Sequence, residues 1–378
     1  MVAPPYDALT PDERHRLRDL APDSFLHALP TTSHPGTVTN AELAHNRTSV
    51  ERLRRSAFAP VPRPFVATYR LSEGDRTQTG LIADLDVDAL GTVVAGHEHT
   101  HAAREDDLVR YLETVGAQSS PVCLTHAPLP TLAAVLADHT SGDPTVALVQ
   151  DGATEQELWV VDDPDAVASL LAAAGQIDRA VITDGHHRAA AAARFAAAQD
   201  GAARHVLVAL FPADEIRVTA FHRIVRPPLP MHPADLAAAL RHHGLEVRPA
   251  EGPFDPQRPG HIGLLAAGRW WEVGVPADRL PDDPVDASDV WLLQREVLAP
   301  VLEVADPRTD PRLEHLPTSL PLTAFTAAVG HDGVGFLLRP PSVEVLLAAG
   351  ERGRVLPPKS TYVHPKARSG LLLVPRDG

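Results

Sequence analysis

Apolar and polar positions along the chain follow two periods, and their order predicts a mixed α/β (α+β) protein. Apolar residues three and four apart predict amphipathic helices, whereas short apolar or alternating runs predict strands. The clearest unit is the buried strand Arg179-Ala-Val-Ile-Thr183, which leads through the turn Asp184-Gly185 into an alanine-rich helix over His186–Ala198. Strands that alternate with helices in this way favour an α/β architecture.

Further strands and helices lie on either side of that unit. Ahead of it, the pattern predicts an N-terminal arm of two helices, Thr10–Leu20 and Asn40–Ala57. The other strands predicted before residue 226 are Phe65–Leu71, Leu81–Val87, Thr92–Ala95, Pro121–Thr125, Thr145–Gln150, Leu158–Val161, His205–Phe211 and Ile216–Val225. The other helices predicted there are Glu105–Val115, Leu129–Ala137 and Asp165–Ala174.

A proline-rich segment, Pro227-Pro-Leu-Pro230, predicts the boundary between two domains. The chain has 378 residues, which is more than one hydrophobic core commonly organises. We therefore expect a first domain over 1–226 and a second, smaller α/β domain over 227–378. The elements predicted in the second domain are helices over Pro233–His243, Val290–Val301, Leu322–Val329 and Val343–Ala349, and strands over Ile262–Ala266, Trp270–Val275, Gly335–Leu338 and Leu371–Val374.

Composition and charge argue against several classes of protein. Acidic residues outnumber basic ones by 49 to 34, and the formal net charge of −15 disfavours a nucleic-acid partner, which needs a basic field. A single cysteine, Cys123, cannot form an internal disulfide or a Cys-ligated metal cluster. No apolar run reaches the roughly 20 residues of a membrane span, and the N-terminus is unlike a signal peptide. We expect a cytoplasmic protein without a membrane partner; its oligomeric state stays open.

Lysine is almost absent from the chain, and its two occurrences lie close together. Lys359 and Lys366 fall in one stretch, Lys359-Ser-Thr-Tyr-Val-His-Pro-Lys366, while every other basic position except histidine is arginine. Arginine replaces lysine easily on a solvated surface but not where a compact ammonium is needed. The stretch is therefore a candidate site, in which Lys359, Ser360, Thr361 and Lys366 could contact a phosphate or a carboxylate.

The second candidate site is Asp184-Gly-His-His-Arg188, where the clearest strand passes into its helix. The first backbone N–H groups of a helix are unpaired and carry partial positive charge, so a helix start favours anions. Gly185 permits a close backbone approach, and the planar guanidinium of Arg188 suits phosphate oxygens. His186 and His187 add further donors. The alternative is a plain helix cap, with Asp184 as the capping residue and both histidines near the surface.

The third candidate is His97-Glu98-His99-Thr100-His101, which follows the strand Thr92–Ala95. It contains the letters H-E-x-x-H of zinc hydrolases, whose chemistry requires the motif to lie within a helix. The preceding strand and Gly96 disfavour a helix at this motif. A zinc site would also need a third protein ligand, and nothing in the sequence distinguishes the possible ones, Glu105 and Glu113, from other acidic residues. A solvated histidine-rich loop is the other alternative. The P-loop and the dinucleotide-binding glycine motif are absent, so any nucleotide would be bound in another way.

Together these motifs carry a resemblance to a known family. Val2-Ala-Pro-Pro-Tyr-Asp7, His97-Glu98 with Thr100, Asp184-Gly-His-His-Arg188, Asp306-Pro-Arg-Thr-Asp310 and Pro358-Lys-Ser-Thr361 with Pro365-Lys366 occur in this order. The series, which spans residues 2 to about 374, resembles the bacterial and archaeal family called domain of unknown function 1015. Part of that family is similar to proteins of the ParB/sulfiredoxin fold, among them free-serine kinases.

The resemblance implies a function and roles for several residues. In the free-serine kinases a G-x-H-R turn holds the donor phosphates, and Gly185, His187 and Arg188 match it, with Asp184 and His186 beside them. Glu98 matches the glutamate that takes the proton of the serine hydroxyl, and His97, Thr100, Lys359 and Lys366 would orient substrate or phosphate. The expected fold is a ParB/sulfiredoxin-like catalytic domain over 1–226, with its helical arm, and a C-terminal domain that contributes the Lys-Ser-Thr loop.

We therefore expect a small-molecule kinase that converts a hydroxylated amino acid, foremost free L-serine, into its phosphate. Mg²⁺ is expected as the cofactor, and ATP, ADP, pyrophosphate and polyphosphate are all open as donors. Sulfiredoxin chemistry is excluded, because His186 occupies the place of the required cysteine. Two alternatives remain: a nucleotide-binding regulatory or scaffold protein without turnover, and a zinc hydrolase that uses His97, Glu98 and His101.

Overall fold

The chain folds into two compact units. The computed structural model describes residues 2–4, 9, 11–30, 35–150, 154–199, 204–228, 232–254, 256–318 and 320–376. The first unit comprises Met1–Ile216 with Pro365–Gly378, and the second comprises Arg217–His364. The division thus lies ten residues before the predicted boundary after residue 226, and the C-terminal segment belongs to the first unit. Pro5–Asp7 of the N-terminal motif, Thr10 and Leu229–Pro230 lie outside the described residues.

A mixed sheet is the centre of the first unit. Its eight described strands are β1 (Val66–Glu73), β2 (Arg76–Asp86), β3 (Val94–Ala95), β5 (Val122–His126), β6 (Val146–Gln150), β7 (Thr154–Val161), β8 (Ala180–Asp184) and β9 (His205–Pro212). They are ordered β3-β8-β5-β9-β2-β1-β7-β6. Only β3 with β8 and β5 with β9 pair in parallel. The fully buried run Ala180–Thr183 of β8 reflects this interior position, because such a strand has no solvated face.

The first unit has six described α-helices. They are α1 (Pro11–Leu20), α2 (Asn40–Ser56), α3 (Ala102–Val115), α4 (Pro130–His139), α5 (Pro164–Ala174) and α6 (His186–Ala198). Helix α6 packs on β5, β8 and β9 through Ala189, Ala192 and Ala196, which are buried and lie three or four residues apart. Helices α4 and α5 pack elsewhere on the unit, through Leu132, Leu136, Leu170 and others.

The N-terminal arm and the C-terminal segment complete the first unit. Phe25, Leu26 and Leu53 of the arm form a small core together with Ala117 of β4 (Ala117–Gln118). The last strand of the chain, β18 (Val374–Pro375), pairs with β4 in an antiparallel sense. Of the strand predicted over Leu371–Val374, only Val374 is in a strand, because only there does the segment pair with β4.

The second unit is built on an antiparallel sheet. Its described strands are β11 (Phe221–Val225), β12 (Glu246–Ala250), β13 (His261–Ala266), β14 (Arg269–Gly274), β15 (Leu313–Pro317) and β16 (Val334–Leu337), ordered β12-β14-β13-β16-β11-β15. Two shorter strands, β10 (Arg217–Thr219) and β17 (Tyr362–His364), pair separately. The helices are α7 (Pro233–His242), α8 (Asp289–Leu293), α9 (Leu322–Val329) and α10 (Val343–Glu351).

The mixed α+β class is confirmed, while two details differ from the sequence pattern. The single strand predicted over Ile216–Val225 is two strands, β10 and β11, which take different partners on either side of Ala220. The helix predicted over Val290–Val301 is α8 followed by a π-helical turn over Gln294–Leu298. Across the part of the chain that the structure describes, no helix is both long enough and apolar enough to cross a bilayer.

Candidate functional site

Two candidate motifs of the sequence meet at one edge of the large sheet. Strands β3 and β8 are parallel neighbours, with Val94 opposite Ala180 and Ala95 opposite Val181. Because parallel strands end at the same edge, the residues that follow them are neighbours. The stretch His97–His101 therefore lies beside the turn Asp184–Arg188, although about ninety residues separate the two in sequence.

Backbone-to-ring hydrogen bonds fasten the two segments together. The N–H of His97 donates to Nε2 of His186 at 3.3 Å, and the N–H of His101 donates to Nε2 of His187 at 3.0 Å. An Nε2 that accepts carries no proton, so these bonds assign both rings to the neutral form protonated on Nδ1. The rings of His97 and His186 also meet edge to face, with centroids 4.6 Å apart. Both histidines of the turn therefore position the loop that carries Glu98.

His97 is held inside the protein as a neutral ring. His97 is only 1% exposed, and burial lowers the pKa of its ring from 6.5 to about 4. A hydrogen bond to the backbone of Ile182 opposes this lowering. A ring with so low a pKa does not carry charge near neutral pH. The geometry thus favours a positioning role for His97, through its contact with His186, over proton transfer.

This burial predicts a stability that depends on pH. In the unfolded chain His97 titrates near its ordinary pKa of 6.5, whereas in the folded chain it stays neutral down to about pH 4. Between these values the unfolded state binds the extra proton, so the free energy of unfolding falls as the pH falls through this window. The full effect is about 3 kcal/mol. Urea unfolding of the wild type and His97→Gln at pH 7 and pH 4.5 measures it.

The control for this prediction is His99→Gln, since His99 is exposed in the same loop. Wild type and His99→Gln should lose the same stability between the two pH values, and His97→Gln should lose less. An identical pH dependence in all three proteins would contradict the assignment of the effect to His97.

Asp184 is the centre of a charged cluster. One carboxylate oxygen lies 2.5 Å from Nη2 of Arg188, and the other lies 2.7 Å from Nζ of Lys366. The side chains are 22%, 19% and 8% exposed for Asp184, Arg188 and Lys366, so all three are largely removed from water. Two cationic side chains thus meet at one carboxylate beside the start of α6. Cationic side chains in such a place favour an anionic ligand.

The turn itself requires glycine. Gly185 precedes the first residue of α6 and has φ +95°, a conformation that side chains rarely adopt. A Cβ at this position would lie 2.7 Å from Nε and Nη2 of Arg188. Glycine therefore allows both the sharp turn from β8 into α6 and the folding of Arg188 back onto Asp184.

Thr100 fixes the end of the loop that carries Glu98. Its side chain is hydrogen-bonded to Glu105, and this bond, together with the Arg194 ion pair at 3.1 Å, lowers the pKa of the Glu105 carboxyl despite partial desolvation. Arg194 lies on α6 and Glu105 on α3, so the pair also joins the helices that follow the two motifs. Glu98 is half-buried between His97 and the exposed His99.

The zinc-hydrolase alternative lacks its required geometry. Residues 97–101 are not helical, so His97 and His101 do not share a helix face. Within the described ranges there is no group of three or more His, Cys, Asp or Glu side chains that could hold a metal ion. Glu105, one of the possible third ligands, is instead paired with Arg194.

The Lys-Ser-Thr stretch is divided between the two units. Lys366 lies in the first unit and contacts Asp184, whereas Lys359, Ser360 and Thr361 lie in the second. There the Ser360 hydroxyl donates to the carbonyl of Pro357 at 2.5 Å, and Lys359, with φ +53°, holds its Nζ 5.8 Å from the centroid of the Phe221 ring. The role of these three residues in phosphate binding stays a prediction from the sequence.

Two features of the site were not predicted from the sequence. Cys123 of β5 lies opposite Asp184, and burial raises the pKa of its thiol to about 12, so it is an inert neighbour. A small cavity adjoins Arg188 and is lined by Tyr111, Ser119 and Ser120 among apolar residues of the first unit. Nothing in the local pattern marks these residues, because strand pairing across long sequence separations brings them there.

Comparison with known proteins places the chain in a family. The family described as "Protein of unknown function (DUF1015)" matches residues 1–295, which is more than half of the chain. The chain belongs to this family. Among curated proteins there is no match. The family match covers the His97–His101 and Asp184–Arg188 motifs, whose contacts are described above, and ends before the C-terminal stretch that supplies Lys366.

Several solved structures are similar to this family member. A free serine kinase mutant in complex with AMP is 14% identical, with a TM-score of 0.44, and the likeness covers 78% of this chain and 92% of that one. A free serine kinase mutant in complex with ADP is 15% identical, with a TM-score of 0.43 and coverages of 84% and 97%. SbnI with a C-terminal truncation, from Staphylococcus aureus, is 13% identical, with a TM-score of 0.44 and coverages of 78% and 87%.

Proposed function

We propose that this protein transfers a phosphoryl group from a nucleotide or polyphosphate-type donor to the hydroxyl of a small amino acid, and that free L-serine is the acceptor. One observation carries the proposal. The Asp184–Arg188–Lys366 cluster, with its two cationic side chains at the start of α6, lies at the same sheet edge as the loop that carries Glu98. Phosphoryl transfer needs these two parts, a positive cradle and a nearby carboxylate.

Residues at this edge of the large sheet would have different roles in the reaction. Arg188, Lys366 and the first backbone N–H groups of α6 would hold the donor phosphates. Glu98 would accept the proton of the serine hydroxyl as its oxygen attacks the terminal phosphorus. The bond between that phosphorus and the bridging oxygen of the donor then breaks, and the leaving phosphate keeps the electron pair. The products are O-phosphoserine and the donor shortened by one phosphoryl group.

His97, His186 and His187 would support this chemistry by positioning the loop that carries Glu98. Their hydrogen bonds and ring contact fix the Glu98 loop against the phosphate turn. Mg²⁺ would share the phosphate charge when bound. Because the described residues contain no ready group of three metal-binding side chains, we assign no residue to it and expect it to arrive with the donor.

The proposal is tested by a mass-spectrometric screen for O-phosphoserine. Purified full-length protein is incubated with L-serine and Mg²⁺ and, in separate reactions, with ATP, ADP, pyrophosphate or polyphosphate. Product with one donor supports the kinase and identifies that donor. Saturable nucleotide binding by folded protein that forms no phosphorylated product with any donor would contradict it and support the regulatory or scaffold alternative.

Gly185→Ala should weaken nucleotide binding by displacing a single guanidinium. The new Cβ would meet Arg188 at 2.7 Å, so the arginine must leave its position on Asp184. The control is Gly91→Ala, because Gly91 has φ +80° but a Cβ added there would meet nothing within 4 Å. Both variants should lose about 1–2 kcal/mol of stability from backbone strain. Calorimetric titration with ADP should show weaker binding only for Gly185→Ala; equal affinities would contradict the role of Arg188.

A further inference from the structure

A second cavity lies at the opposite end of β5 from the Asp184 cluster. Cys123 of β5 pairs with Asp184, whereas His126, three residues further on, pairs with Ala180 at the start of β8. Three residues of a strand span about 10 Å. The cavity has a volume of about 140 Å³ and is lined only by residues of the first unit, among them Arg70, His126 and Glu215. It is therefore separate from the proposed phosphate site.

His126 presents an acceptor to this cavity wall. The residue is 2% exposed, and its Nδ1 lies 2.7 Å from the carbonyl oxygen of Ala127, to which it must donate. Burial lowers the pKa of His126, so the ring is neutral and Nε2 carries a lone pair. Among the described residues, Nε2 has no hydrogen-bond partner. A buried acceptor without a donor is destabilising, and a ligand that brings a donor would satisfy it.

Two opposite charges border the same cavity without forming an ion pair. Arg70 contacts Glu157 through Nη1 at 3.3 Å and lies over the Trp159 ring at 4.8 Å. Glu215 accepts the N–H of Thr79 at 2.5 Å. Burial raises the pKa of the Glu215 carboxyl, and the nearby Arg70 opposes this rise, yet the two side chains are not within ion-pair distance of each other. A cation and an anion held apart in this way match the two ends of a zwitterion.

The remaining wall is apolar and sets the size of the ligand. Leu132 and Leu136 of α4 are 1% and 4% exposed and line the cavity. The volume is similar to that of an engineered cavity of about 150 Å³ that takes up benzene. The space therefore suits a body of a few carbon atoms, with charged ends that remain at the more exposed rim near Glu215.

We propose that this cavity binds a free α-amino acid of threonine size whose side chain carries both a methyl group and a hydroxyl. The carboxylate would meet Arg70 and the ammonium would meet Glu215. The methyl group packs on Leu132 and Leu136, and the hydroxyl donates to Nε2 of His126. The site lies apart from the phosphate turn and does not depend on the proposed kinase reaction.

Isothermal titration of the full-length protein with L-threonine and L-valine tests the proposal. The two amino acids have nearly the same shape, but only threonine carries the hydroxyl donor. We expect saturable binding of threonine, at least about tenfold tighter than that of valine, because only threonine can donate a hydrogen bond to the buried Nε2 of His126. Absence of saturable threonine binding to folded protein, or equal affinity for both amino acids, would overturn the proposal.

Variants locate the bound amino acid. Arg70→Met and Glu215→Gln, which alter partly exposed side chains, should each weaken threonine binding at least about tenfold, because each removes one charge partner. Arg63→Met is the matched control, since Arg63 is an exposed arginine of the same unit that pairs with Asp162. Lys366→Met should leave threonine binding unchanged. Loss of binding in Lys366→Met, with normal binding in Arg70→Met, would instead place the amino acid at the phosphate site.

Discussion

Glu98→Gln should lower the rate of O-phosphoserine formation by about 10²–10⁴-fold while the fold and nucleotide binding persist. The amide has the shape of the carboxylate but cannot take a proton from the serine hydroxyl, and removal of a general base has an effect of this size. Glu98 is half-buried within the loop that the backbone hydrogen bonds of His97 and His101 hold in place, so the substitution should not disturb the turn. Mass-spectrometric rates with the active donor, and calorimetric titration with ADP, measure the two quantities.

Glu113→Gln is the matched control for this experiment. Glu113 is an exposed glutamate on α3 of the same unit, and it should have wild-type rates when replaced. Turnover of Glu98→Gln within a few-fold of the wild type would remove Glu98 from the reaction. Loss of both turnover and ADP binding would show that Glu98 acts on the structure of the turn and not on the proton.

The sequence predicted best those elements whose apolar pattern is compatible with only one type of secondary structure. The strand predicted over Arg179–Thr183 is observed as Ala180–Asp184, and the helix predicted over His186–Ala198 has the same bounds in the structure. An unbroken apolar run fits an interior strand, and a run of alanines favours a helix wherever it packs. In the structure the two motifs meet at the edge where β8 and its parallel neighbour β3 end.

The pattern of apolar and polar residues did not predict the short strands or the pairings between distant segments. Strands β4, β12, β15 and β17 were not predicted, since segments of two to five residues with mixed polarity show no clear period. The return of Pro365–Gly378 to the first unit was also missed, because the pairing of β18 with β4 joins positions more than 250 residues apart. The two units divide after Ile216, ahead of the proline-rich segment Pro227–Pro230.

The candidate site was predictable in its residue types but not in its contacts. The scarcity of lysine singled out Lys366, and the structure places its ammonium on Asp184. The same argument singled out Lys359, which lies in the other unit. No local signal links Lys366 with Asp184 across 182 residues, and none shows that His97 is buried against His186. Such contacts depend on the order of strands in the sheet.

Lys366→Met should weaken ADP binding by about ten- to a hundredfold and lower the free energy of unfolding by about 1–3 kcal/mol. The ammonium is only 8% exposed and bonds one oxygen of Asp184, so its loss leaves that oxygen without its charged partner in a largely buried place. The cluster also loses one of the two cationic side chains that would contact the donor phosphates. Calorimetric titration and urea unfolding measure the two effects.

Two further lysine variants separate charge from shape. Lys366→Arg keeps the charge but replaces a compact ammonium with a broad guanidinium, so it should bind ADP more tightly than Lys366→Met and less tightly than the wild type. Lys359→Met removes the other lysine and should leave the Asp184 cluster and the stability of the first unit unchanged. Wild-type ADP affinity in Lys366→Met would contradict the phosphate-binding role of the cluster. A loss of stability alone would then limit Lys366 to holding the C-terminal segment against β8, and Arg188 would be the remaining cation of the turn.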